Sequence, residues 1–213
     1  DIVKVLKKIP LKSRMIDMPK VLVVGEIYVR RDDFAVDELV QLFSRNGIIA
    51  KVSGIAEWFY YCDYTRKHDI QKRLRMVPWY KRLVSSEMKE LVMWHLEHIY
   101  KNRVEHSILH ILKKTNLVPK APQDMEKIMA NAEKHFVSSE LYSEISVSAG
   151  SASTAMFEDY SGVVNIAPFA CLIGRVIEGL ITPWARELKY PVISVEIDGD
   201  ILPANIINKL EIF

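Results

Sequence analysis

The chain has 213 residues, 49% of them hydrophobic and 26% charged, the balance of a folded globular chain with one large or two small domains. A net charge of +2 excludes the strong basic field of a dedicated nucleic-acid or membrane-surface binder, and no apolar run reaches the ~18 residues that a spanning helix needs. The two cysteines, Cys62 and Cys171, lie far apart and make no disulfide framework, which points to a reducing, cytoplasmic setting.

In chain order, residues 1–19 are basic and mixed and read as a lead-in. The start, without Met, reads as the interior of a longer chain. Val21-Leu22-Val23-Val24 is a continuous apolar run ending at Gly25, the signature of a strand buried on both faces. Gly25 allows a close backbone approach. Glu26 follows, as a ligand contact or as a partner for Arg30 or Arg31. Asp32-Asp33 offers a helix start before Phe34–Asn46, and Asn46-Gly47 a helix end. Ile48–Val52 returns as a second strand, so the unit implies a parallel sheet. With Gly25 alone near the turn, there is no dinucleotide fingerprint.

Ile55–Thr115 reads as a long helical stretch, divided at Pro78. Glu57–Tyr61 is densely aromatic and reads as core packing. The basic run from Arg66 to Arg82 reads as a solvated helix face or a partner-docking surface. His95, His98, His106 and His110 fall within an arc of roughly 120° on the second helix. No third ligand has metalloprotease spacing, so they are expected to bind no metal.

Asn116–Pro122 reads as a linker, since Pro119 and Pro122 bar a helix. A helix is expected over Met125–Tyr142, then a small polar loop over Ser146–Tyr160 that faces a ligand or crosses the fold. Val163–Ala167 is a third buried strand, ended by Pro168. Helical spacing resumes at Leu172, Ile173, Val176 and Ile177. Cys171 therefore falls at a strand-to-helix corner, on the edge where open α/β sheets bind ligands. Its thiol is either a small buried apolar group or a thiolate favoured by the helix N-terminus. Val192–Ile197 is a fourth strand, ending in Asp198-Gly199-Asp200, and Ile201–Phe213 reads as a final helix.

The expected architecture is α/β: two Rossmann-like lobes with parallel sheets and a helical insertion. The first lobe, with the insertion, would span 20–115 and the second 116–213. Gly25, Glu26, Asn165, Pro168, Phe169 and Asp198 would line one cleft between the lobes, with the Cys171 sulfur within reach of Glu26 or Asp198.

Gly25–Arg30 with Asp32 and Phe34, Glu57-Trp58, Gly162–Cys171 with Asn165, Pro168 and Phe169, and Asp198-Gly199 together resemble one family. It is the dehydratase-like C-terminal region of the long activator proteins of (R)-2-hydroxyglutaryl-CoA (2-hydroxyacyl-CoA) dehydratase. The resemblance covers most of the chain from Lys20 onward. It implies Rossmann-like lobes around a cysteine-held iron–sulfur cluster. It also implies ATPase domains elsewhere in the same parent chain, and ATP-driven low-potential electron transfer to a 2-hydroxyacyl-CoA dehydratase. Cys171 lies where a cluster ligand is expected. A [4Fe-4S] cluster takes several thiolates, and Cys62 sits in no family motif, so the other ligands would come from elsewhere. The ATPase phosphate loops are absent, so these residues are not expected to hydrolyse ATP. The alternatives are a non-catalytic protein-interaction module, with the helical insertion as its surface, and a CoA-thioester-binding domain without a cluster.

Overall fold

The computed structural model describes residues 2–10, 15–115, 117, 124–138, 140–141, 143–199 and 207–210. In chain order its elements are α1 (Ile2–Leu6), β1 (Lys20–Gly25), α2 (Asp33–Arg45), β2 (Ile49–Val52), α3 (Ile55–Met76), α4 (Ser86–Leu112), α5 (Met125–His135), α6 (Glu144–Met156), β3 (Gly162–Pro168), α7 (Leu172–Glu187) and β4 (Val192–Ile197). The chain divides into two compact units. One holds Asp1–Ile16 with Ala56–Met125, the other Asp17–Ile55 with Glu126–Phe213. No described helix is long and apolar enough to cross a membrane.

The second unit is α/β. Its four strands form one all-parallel sheet in the order β2-β1-β3-β4. The strands expected in two lobes thus share a single sheet. A strand's own residues report that both its faces are covered, not which strand lies beside it. β1 and β3 are central, and Val21–Val24 and Val163–Ile166 are nearly inaccessible. Alternation along the strands sends Val21, Val23, Val164 and Ile166 to one face, packed with Val36, Leu39 and Phe43 of α2. Leu22, Val24 and Val163 go to the other, packed with Ala149, Ala152 and Ala155 of α6 and with Ile177 and Ile181 of α7. Each fully buried side chain of the size of Phe43, Ile177 or Ile181 contributes about 1.5–3 kcal/mol.

The expected polar loop at Ser146–Tyr160 is instead mostly helix. α6 spans Glu144–Met156, and every residue from Ser146 to Ala155 is buried. Ser143 caps it, accepting from the Ile145 N–H at 3.2 Å. Its small side chains let α6 lie close to its neighbours: a Cβ on Gly150 would stand 2.3 Å from the Ile128 carbonyl oxygen. Two buried hydroxyls find backbone acceptors, Ser146 at the Leu141 carbonyl (2.7 Å) and Thr154 at the Gly150 carbonyl (2.8 Å). Small and polar thus describes close packing here, which composition does not distinguish from a loop. α5 ends at His135, short of the expected Tyr142. Most of the expected linker at Asn116–Pro122 and of the final helix at Ile201–Phe213 lies outside the described residues; 207–210 are helical.

In the first unit, α3 and α4 run antiparallel, divided near Pro78 as the sequence implies. Their facing sides are held by polar contacts. Arg66 pairs with Glu97 and Arg73 with Glu90, both at 2.7 Å. Lys101 pairs with Asp63 at 2.7 Å, and the Trp94 indole donates to the Asp63 carbonyl at 3.0 Å. Tyr60 donates to Glu105. Burial and the Glu105 carboxylate raise the Tyr60 hydroxyl well above the usual tyrosine range.

Candidate functional site

The connections place the site. β1 leads through α2 to β2 on one side of the sheet, while β3 leads through α7 to β4 on the other. The chain therefore departs in opposite directions from the carboxyl ends of β1 and β3, the topological switch point where open α/β sheets bind ligands. Gly25 pairs in register with Ile166, and Pro168 with Ile197. Gly25-Glu26, Phe169–Cys171 and Asp198 thus follow strand ends on one edge of one sheet.

At the end of β1 the backbone must pass close to β3. Gly25 has φ +117°, and a Cβ there would stand 2.0 Å from the Ile166 carbonyl oxygen. The Glu26 N–H donates to that oxygen at 3.0 Å. The Glu26 carboxylate turns back on its own chain and accepts the Val29 N–H at 2.8 Å. That bond ties Glu26 to the start of the short 3-10 turn Val29–Arg31.

Asn165 is 1% exposed. Its amide donates to the Gly174 carbonyl and to the Ser194 hydroxyl, both at 3.1 Å. Gly174 is in the first turn of α7, where a Cβ would stand 2.2 Å from the Ala167 Cβ. Asn165 and Gly174 together draw the N-terminus of α7 onto β3, and so fix where Cys171 sits. Asn165 thus ties β3 to α7 and β4 through its amide, while its Oδ1 is buried without a hydrogen-bond partner.

Cys171 is the N-cap of the 16-residue helix α7, and its side chain makes no capping hydrogen bond. It is half-buried and unpaired. Its N–H donates to the Pro168 carbonyl at 3.1 Å, closing the turn Pro168–Cys171. Ala170 in that turn has φ 57°, a left-handed conformation that a residue with a Cβ adopts only under constraint. The constraint is Glu196. Its carboxylate accepts the Ala170 N–H at 3.1 Å and pairs with Arg175 at 2.7 Å. Phe169 projects from the same turn and is 68% exposed. Asp198 lies exposed just past β4.

Three participants were not legible in the sequence. Glu196 holds the cysteine turn; its signal is the polar pair Ser194 and Glu196 at alternate positions of a strand. Ser148 donates to the Gly25 carbonyl at 3.2 Å, from a segment expected to be a loop. Glu144, in the first turn of α6, is pushed above the usual carboxylate range by burial and then by the Glu26 charge, against the Ile27 N–H and Arg30, which favour its ionised form. A raised carboxyl keeps its proton to a higher pH in the folded chain than in the unfolded one, so its destabilising influence is absent at low pH and grows as pH rises. Glu144→Gln is therefore expected to melt at a higher temperature than the parent at pH 8, with the difference vanishing near pH 4. Thermal melts across that range check it.

The histidines divide. His98 stacks on Trp94, with ring centroids 4.8 Å apart, and meets the Asn102 amide at 3.0 Å. His106 and His110 are exposed. Among the described residues no group of three or more His, Cys, Asp or Glu side chains is placed to hold a metal ion. Cys62 is exposed on α3, its thiol pushed up by partial burial and the neighbouring Asp63 charge.

No protein-family model, curated protein or solved structure matches this chain.

Proposed function

We propose that the chain is an accessory domain of a 2-hydroxyacyl-CoA dehydratase activator, aiding ATP-driven low-potential electron transfer to the dehydratase. In this reading Cys171 contributes one thiolate to an iron–sulfur cluster. The observation that carries it is the placement of Cys171: a half-buried, unpaired thiol at the uncapped N-terminus of α7, beside the switch point of a parallel sheet. A helix N-terminus favours thiolate, the form that ligates iron. The family resemblance of Gly25–Arg30, Gly162–Cys171 and Asp198-Gly199 supports the same edge.

The described residues do not complete a cluster site, because one thiolate is not a cluster's ligand set. The remaining ligands would come from the ATPase domains of the parent chain or from a dehydratase subunit, and no electron-transfer step runs through these residues alone. What the chain supplies is position. Glu196, Asn165 and the closed turn at Ala170 hold the thiol at the sheet edge. The four-stranded unit would serve as one of the Rossmann-like lobes the resemblance implies. Two unpaired thiols suit a reducing cytoplasm.

The test compares Cys171→Ser with Cys62→Ser. In the anaerobically prepared parent protein, Cys171→Ser is expected to lower iron content and dehydratase activation severalfold, while Cys62→Ser leaves both unchanged. In the native chain the thiol of Cys62, pushed up by partial burial and the Asp63 charge, is expected to alkylate slowly at neutral pH, and the alkylation of Cys171 is followed in the Cys62→Ser background. If Cys171 stays inert until the chain unfolds, and its replacement leaves iron and activation unchanged, the thiol is structural and the domain is an interaction module.

A further inference from the structure

The α3–α4 hairpin is polar on its inside and apolar on its outside. Beyond the first turn, every carboxylate of α4 is turned to α3: Glu90 to Arg73, Glu97 to Arg66 and Glu105 to Tyr60. Trp94, the buried residue of α4, marks that inner side. On the outer side, Val92, Leu96, Ile99, Arg103, His106 and His110 recur at alternating spacings of four and three, the repeat of a coiled-coil seam. All six are exposed, with Val92, Leu96 and Ile99 at 51%, 57% and 45%. Met93 and Tyr100 flank the apolar half at 53% and 71%. The inner side of α4 faces α3 through these contacts, while its outer seam stays exposed among the described residues.

We propose that this outer seam of α4 docks an acidic amphipathic helix of a partner protein. The seam runs ~27 Å at 1.5 Å per residue, enough for a partner helix of about five turns. Its N-terminal half, Val92 to Ile99, offers apolar holes. Its C-terminal half lines a shallow depression with Arg103, His106 and His110, which supply donors and no carboxylate. The complement is a helix with an apolar half and a carboxylate-bearing half, laid along the groove. A second copy of this chain fits poorly. An antiparallel copy would bury Arg103 and the histidines against Val92–Ile99, and a parallel copy would set Arg103 beside its twin; both leave a guanidinium desolvated without an acceptor. A lipid surface would leave the depression unfilled by side chains. The proposal stands independently of the cysteine reading, since it uses the other unit of the chain.

The probe is a fluorescein-labelled peptide of about three Leu/Glu heptads, with its Leu/Lys counterpart as control, read by fluorescence anisotropy on the full chain. The Leu/Glu peptide is expected to bind with a Kd in the range of ~1–50 μM and the Leu/Lys peptide not to bind. Leu96→Ser with Ile99→Ser should weaken the Leu/Glu peptide about tenfold or more, consistent with the loss of two anchors. Arg103→Glu should weaken it and let the Leu/Lys peptide bind. These positions are exposed, so melting temperatures should stay near the parent's and serve as the folding check. Equal affinity for the two peptides, or indifference to the Leu96→Ser/Ile99→Ser pair, overturns the proposal. So does a dimer in sedimentation, or flotation with phosphatidylserine vesicles, that this same pair abolishes.

Discussion

Gly25→Ala is expected to cost about 2–5 kcal/mol of stability, the sum of a disfavoured positive φ and overpacking against a rigid neighbour. The new Cβ would meet the Ile166 carbonyl oxygen at 2.0 Å, the Ile166 nitrogen at 2.8 Å and the Asn165 Oδ1 at 2.9 Å. Two of these are backbone atoms of the central strand and cannot rotate away. Ile166 is also tied to the segment from both sides, through the Gly25 register and the Glu26 N–H. Relief requires β1 and β3 to separate at their carboxyl ends, where the cores of both sheet faces meet. Since domains are stable by about 5–15 kcal/mol, much of the margin goes. Urea unfolding followed by circular dichroism measures it. A midpoint within experimental error of the parent's would show that the two strands do not approach as described.

Asn165→Asp is the second large effect. The Asn165 amide donates to Gly174 and Ser194 from a site 1% exposed. In the variant a carboxylate oxygen faces the Gly174 carbonyl oxygen, a buried charge without a cation opposite it. Breaking a buried polar arrangement in this way costs about 3–5 kcal/mol. The sign of the pH dependence follows from the same burial. The aspartic acid would be held protonated in the folded state, with its pKa above that of the unfolded chain. The folded variant then binds the extra proton, so its stability is retained at low pH and falls as pH rises. The variant is thus expected to lie nearest to the parent around pH 4 and farthest above pH 7. The helix it anchors carries Cys171 at its start, so a shift in Cys171 alkylation rate should accompany the destabilisation. An unchanged melting temperature at pH 7.5 would show that Asn165 does not bear on α7.

Local pattern carried much of this protein's architecture. Each of the four strands was legible as an apolar, β-branched run, and their parallel direction followed from the helical segments between them. Pro78 between two helices and Cys171 at a strand-to-helix corner were legible for the same reason: proline and the change from strand to helical periodicity are features of contiguous residues. The tertiary structure decided what depends on partners remote in sequence. β1 and β3 pair across a helical insertion, which makes one sheet where two were expected. Ser146–Ala155, read as a polar loop, is a buried helix because its small side chains allow close packing and the hydroxyls of Ser146, Ser148 and Thr154 find backbone acceptors. Glu26 turns onto Val29, Glu196 holds the cysteine turn, and Asn165 pins α7 to β3. None of these choices is written in the residue's type, since a carboxylate or an amide accepts whichever donor the fold brings within about 3 Å.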